Sequence, residues 1–178
     1  MFYRVKCETN PFTLFPVGHG AHFLGTNSLV NNWTQQVTCV ARTVLPSVGK
    51  EFTLLEWVDP RGTRLEPYRA TESAVYGVGG EGMDKVGEVL VWTNGPVGML
   101  WTNSLAGQSY QTIRIDSTND LVSVPVGSFT NCFRYHSTVY GGSNTTEWDW
   151  WVKPGYGMIQ YTGQLSNSPA LFRHLGNF

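Results

Sequence analysis

The chain has 178 residues, 14% of them charged, a formal net charge of −1 and three cysteines. That length suits one domain able to bury roughly two-thirds of its unfolded surface without staples or metals. The charged share is well under the about 25% usual for soluble domains. No Lys/Arg run occurs and no apolar stretch nears the about 20 residues of a spanning helix, which argues against a nucleic-acid binder and a transmembrane segment.

The opening residues, Met1 through Cys7, lack the apolar run and small-residue cleavage site of a signal peptide. His19 and His22 stand three apart, a spacing that sends two strand side chains to opposite faces, so they read as surface histidines rather than metal ligands. From there the dominant pattern is short β-branched and aromatic runs between turn residues. Gln36–Thr43 alternates, with Val37, Cys39 and Ala41 on one side, and Phe52–Val58 follows the turn Pro46-Ser-Val-Gly49. Asp59-Pro-Arg-Gly62 is a further turn, in which proline presets φ and glycine supplies a positive one. Gly77-Val-Gly79-Gly-Glu-Gly82 matches the dinucleotide fingerprint in its letters. That fingerprint needs a helix to start there, whereas Val86–Trp92 continues as a strand, so the segment reads as a loop. Gln111–Asp116, Phe129–Val139, Trp148–Val152 and Met158–Thr162 are further strands. The C-terminus departs from the pattern. Ser168 as N-cap, Pro169 at the first helical position and Gly176 as the stop predict a short helix over about 169–175.

The order of these signals repeats. Thr26-Asn-Ser-Leu29 recurs as Thr102-Asn-Ser-Leu105, each copy preceded by Pro-Val-Gly, at Pro16–Gly18 and Pro96–Gly98. Alternating strands follow, with Val37 and Cys39 matching Ile113 and Ile115. Residues about 12–90 and 91–165 are read as two pseudo-repeats of one domain spanning 1–178. Neither half looks able to bury its apolar face alone, so they should share one core. The expected fold is all-β: a single antiparallel domain, as a curved sheet or half-barrel or a sandwich, with a jelly roll as the alternative topology.

Chemistry is sparse. There is no nucleophile elbow, no CxxC spacing, and an odd cysteine count (Cys7, Cys39, Cys132), so neither a metal nor a cofactor is expected, and no enzyme. Aromatics are the remaining clue. Trp148 and Trp150 share one strand face, with Glu147 and Asp149 beside them and Tyr156 just beyond. Stacking platforms of this kind hold sugar rings or anchor protein interfaces. Trp148, Trp150, Tyr156, Glu147 and Asp149 are therefore the candidate ligand-binding residues. Glu147 and Asp149 are also the pair a glycan-active enzyme would need.

The most distinctive run is Val124-Pro-Val-Gly-Ser-Phe129 with Cys132, followed by Trp151-Val-Lys-Pro-Gly-Tyr-Gly-Met-Ile159. It resembles a group of uncharacterised bacterial envelope or secreted β-proteins that are similar to the lipoprotein-carrier type of fold. The resemblance implies a curved antiparallel sheet with an apolar concave face and an extracytoplasmic role, and it carries no catalytic residues. The expected function is a non-catalytic binding or structural module of a cell envelope or an assembled particle. Its partners would be protein subunits, in a homo-oligomer or larger assembly, or glycans. A carrier of a lipid or other hydrophobic ligand is the alternative, and a glycan-active enzyme the third.

Overall fold

The computed structural model describes residues 17–27, 32–45, 49–70, 74–78, 86–92, 95–104, 109–141, 144–154, 156–165 and 168–177. Among them, twelve strands form one sheet. The first half supplies β1 (Gly20–Asn27), β2 (Asn32–Leu45), β3 (Lys50–Asp59), β4 (Gly62–Ala70), β5 (Ala74–Val78) and β6 (Val86–Trp92). The second supplies β7 (Leu100–Ser104), β8 (Tyr110–Val124), β9 (Gly127–Gly141), β10 (Asn144–Lys153), β11 (Gly157–Leu165) and β12 (Ser168–Asn177). The fingerprint-like residues 79–82 and the opening residues 1–16 lie outside the described ones.

The strand order is β6-β5-β4-β3-β2-β1-β12-β11-β10-β9-β8-β7, antiparallel throughout. Each half is a meander, and the first strand pairs with the last. The edges β6 and β7 are consecutive in the chain, and no pairing joins them among the described residues. The sheet is thus an up-and-down barrel topology with one seam left open. It curls on itself. Val75 of β5, with Tyr68 of β4 against it, packs on Ile113 and Ile115 of β8, Tyr135 of β9 and Val152 of β10.

Strict alternation builds the inner face. Trp33, Gln35, Val37 and Cys39 of β2 are buried while Asn32, Thr34 and Val40 are exposed. Phe23, Trp33, Trp57 and Phe172 meet there in the central core. The Val124–Cys132 and Trp151–Ile159 runs build a separate, smaller core. Val122, Cys132 and Ile159 are buried together, with Val124, Phe129, Trp151 and Tyr156 packed against them. Phe129 lies over Tyr156 with ring centroids 4.8 Å apart. A bulge between Trp151 and Val152 re-aims Ile159 toward this cluster. In this chain these runs are therefore the packing of two hairpins, β8–β9 on β10–β11.

The C-terminal helix expected over 169–175 is not formed. Ser168–Asn177 is β12, held between β1 and β11. Ala170 and Phe172 are buried at period two, and both flanking strands satisfy its backbone. Two ladders of hydrogen bonds and a buried aromatic outweigh one N-cap and a terminal glycine. Pro169 is tolerated because it stands at the start of the strand.

Gly18 and Gly98, the matched glycines of the two Pro-Val-Gly runs, are bonded alike. Gly18 (φ 86°) donates to the Cys39 carbonyl at 2.8 Å, and Gly98 (φ 87°) donates to the Ile115 carbonyl at 2.8 Å. Cys39 and Cys132 are free thiols in different clusters, and burial raises both above the ordinary thiol range.

One glycine is fixed by a close approach. The Trp33 indole lies over its cross-strand partner Gly25, and a Cβ on Gly25 would stand 2.3 Å from Cε2. Gly25→Ala should destabilise the fold by about 1–3 kcal/mol through overpacking. In urea melts, Trp33→Phe in the same chain should recover part of that loss. A Gly25→Ala protein as stable as wild type would show that the indole does not sit there.

Candidate functional site

The concave face encloses a cavity of about 810 Å³. Its wall draws on both halves, with Phe23, Val37, Leu55 and Trp57 from the first facing Trp150 and Phe172 from the second. Tyr161 stacks on Phe172 at 4.4 Å with the rings 2° from parallel, and Phe23 meets Tyr161 edge-on at 5.6 Å. Tyr135 stacks on Trp150 at 6.0 Å. These contacts leave the aromatic wall little rotameric freedom.

A charged network closes one end, at the β3–β4 turn. The Asp59 carboxylate has no exposure. Its Oδ1 accepts from the Arg61 backbone N–H at 2.9 Å, the short-range bond that makes Asp a turn residue. Its Oδ2 accepts from Arg61 Nη2 at 2.5 Å, Arg64 Nη1 at 2.8 Å and Gln35 Nε2 at 3.2 Å. Burial opposes ionisation of this carboxyl, but the bonds from Arg61 and Arg64 prevail and hold it well below the usual carboxylate range. Arg64 also donates from Nε to Glu66 at 2.9 Å, and its guanidinium lies 5.3 Å from the Trp57 ring centroid. The Tyr68 hydroxyl donates to Glu66, and that of Tyr161 donates to Gln35 Oε1. Burial pushes both phenols above their ordinary range, with the Glu66 charge adding to the effect at Tyr68. The Tyr161–Gln35 bond spans β11 and β2 over the intervening β12 and β1, and so ties the two halves together across the cavity.

The five residues singled out from sequence are divided by the sheet. Trp148 and Trp150 line the cavity, Trp148 at an exposed position and Trp150 half-buried. Glu147 and Asp149 alternate with them and so lie on the opposite face. Tyr156 packs on Phe129 in the outer cluster. The Asp149 carboxylate is directed to the outer face, where its Oδ1 is 2.9 Å from His136 Nδ1, while its backbone N–H donates to Thr162 Oγ1 at 2.7 Å. Asp116, His136 and Asp149 form an outer-face group whose ligand atoms lie within 4.8 Å of one another. Arg114 already neutralises Asp116 at 2.5 Å, which makes this an ion-pair network rather than a vacant donor set.

Sequence reasoning missed the charged end of the cavity. A signal was there: after the Asp59–Gly62 turn, Arg64, Glu66 and Tyr68 recur at period two, placing charge on a face that elsewhere is apolar. The outer group carries no such signal, since three strands must be in register before His136 meets Asp116 and Asp149.

The architecture places the chain among open, curved, single-sheet antiparallel β-proteins. It is similar to a candidate exported protein with a YmcC-like fold from Bacteroides fragilis, at 10% identity and a TM-score of 0.56, covering 94% of this chain and 98% of that one. It is also similar to a candidate lipoprotein from Parabacteroides distasonis, at 11% identity and a TM-score of 0.52, covering 92% and 96%. At this identity the likeness is one of fold. No protein-family model matches the chain, and no curated protein matches it in sequence. Among the described residues, no helix is long and apolar enough to cross a membrane.

Proposed function

We propose that the protein is a non-catalytic binding module of the cell envelope that holds an apolar or amphipathic molecule between the halves of its sheet. The observation that carries this reading is the cavity. Its volume of about 810 Å³ sits high in the about 300–1,000 Å³ range of small-molecule sites, and an aromatic wall with a few convergent polar groups is the usual make-up of one. The two structural neighbours, described as exported and as a lipoprotein, support an extracytoplasmic setting. We also read residues about 12–90 and 91–165 as copies of one unit, for which the matched Gly18 and Gly98 turns speak.

The hydrophobic-ligand reading is placed ahead of glycan or protein-subunit recognition because Trp150 is spent on Tyr135 and the cavity, which leaves Trp148 as the exposed ring. A neutral environment-sensitive fluorophore should bind saturably at one site per chain. Trp148→Ala should weaken that binding about tenfold, the cost of a lost aromatic wall contact of about 1.5 kcal/mol. A titration that never saturates, beside hits on a glycan array that Trp148→Ala abolishes, would put sugar recognition in its place.

A further inference from the structure

We propose that the ligand is an uncharged amphiphile whose hydroxyl or carboxamide is held by Gln111 in the cavity wall. This rests on the cavity being a ligand site and adds the polarity of the ligand and the residue that reads it. The first argument is charge balance. Among the described lining residues the charged groups are Asp59, Arg61, Arg64 and Glu66, two carboxylates and two guanidiniums. Each already has an opposite charge in contact. Asp59 meets Arg61 at 2.5 Å and Arg64 at 2.8 Å, and Glu66 meets Arg64 at 2.9 Å. The lining phenols of Tyr68 and Tyr161 stay protonated at neutral pH, because burial raises both. A carboxylate or ammonium head would give up water here with no uncompensated charge to receive it, a cost that an uncharged head avoids.

The second argument is a polar group away from that network. Gln111 of β8 lines the cavity at 6% exposure, on the face that Ile113 and Ile115 make apolar. Its Nε2 donates to Ser137 Oγ at 2.8 Å, and its Oε1 accepts from Asn103 Nδ2 at 3.4 Å. A carboxamide offers two N–H donors and two acceptor positions, so one of each is left. The remainder is the same with the amide turned over, because Ser137 and Asn103 can each donate as well as accept. A hydroxyl or carboxamide uses both, whereas a carboxylate only accepts and an ammonium only donates. Ser137 is the cross-strand partner of Trp148, so this amide shares its part of the wall with the exposed ring. The wall of Trp150, Tyr161 and Phe172 suits the alkyl chain.

The test uses the full chain loaded with N-phenylnaphthylamine at neutral pH. The fluorophore is displaced by 1-decanol, decanamide, decyl methyl ether, decanoate and decylamine. Decanol and decanamide should act at concentrations about tenfold below either ion. They should also lead the ether by about fivefold, the worth of one neutral hydrogen bond, although the ether is the more apolar. Decanol ahead of decanamide would identify a hydroxyl as the head, and the reverse a carboxamide. Gln111→Met, similar in length and without an amide, should erase the lead over the ether and keep the lead over the ions. Gln111→Glu serves if the methionine variant does not fold, since its unpaired charge should bring decylamine ahead of decanoate. The inference is overturned, and the cavity reading left standing, by an ion or the ether matching decanol on wild type. A lead over the ether that survives Gln111→Met, or ions that stay level on Gln111→Glu, overturns it equally. A wild-type chain that does not bind the fluorophore overturns both.

Discussion

Phe172→Ala should cost about 3–5 kcal/mol, the range for truncating a buried aromatic. For a chain of this size that lowers the melting temperature by about 6–20 °C. Phe172 is 2% exposed in the centre of the sheet. It is paired with Gly25 of β1 on one side and Tyr161 of β11 on the other. Its ring lies parallel to Tyr161 at 4.4 Å and edge-on to Trp33 at 5.6 Å, contacts that add about 0.5–1.5 kcal/mol each beyond area burial. The void opened by the truncation runs into the existing cavity rather than forming a closed hole, which favours the lower part of the range. Urea melts of wild type, Phe172→Leu and Phe172→Ala should fall in that order at constant slope. A loss under about 1 kcal/mol for the alanine variant would place residue 172 outside the core, as a C-terminal helix would.

The second large effect is at Asp59. Asp59→Asn keeps the turn but leaves Arg61 and Arg64 without their shared counter-charge. Truncating one partner of a buried pair costs about 3–5 kcal/mol. Here the arginine side chains are 47% and 38% exposed and regain water, so about 2–3 kcal/mol is expected at neutral pH. The pH dependence has a definite sign. The carboxyl titrates well below its unfolded value of about 3.9, so its contribution is complete above that value and is lost as pH falls toward the folded one. Wild type and Asp59→Asn should therefore differ most in stability from about pH 5 upward and converge in acid. A stability gap that stays constant down to about pH 2 would mean that Asp59 contributes through shape and not through charge.

The legible part of the fold was its local part. Turn chemistry marked the ends of β3 and β8, where Asp59–Gly62 and Val124–Gly127 each form a two-residue turn flanked by paired strands. Alternating or β-branched runs marked β2, β3, β6, β8, β9, β10 and β11. The strands β1, β4 and β5 escaped because Gly20, Gly25, Pro67 and Gly77 interrupt the apolar rhythm, and β7 because Leu100–Ser104 is only five residues long. Of the candidate site, the sharing of one face by Trp148 and Trp150 was readable, since period two is a property of any strand. That Glu147 and Asp149 leave by the other face follows from the same period. The destination of Tyr156 does not, because it depends on a hairpin of another part of the sheet folding over it.

An all-β chain of low charge, cut by Gly and Pro turns, follows from local backbone preference, which each residue carries wherever it sits. Three features depend on partners far away in the chain. Residues 168–177 became a strand because β1 and β11 flank them on both sides, and two ladders outweigh a helix cap. The Val124–Ile159 stretch built a smaller core of its own because two hairpins close on Ile159 and Cys132. The cavity exists because a sheet whose first and last strands pair must curl, which brings Asp59, Arg64 and Gln35 of one half to the mouth of an apolar wall completed by Tyr161 and Phe172 of the other. Such neighbours are set by register and curvature, and neither is encoded in any window of sequence short enough to read by itself.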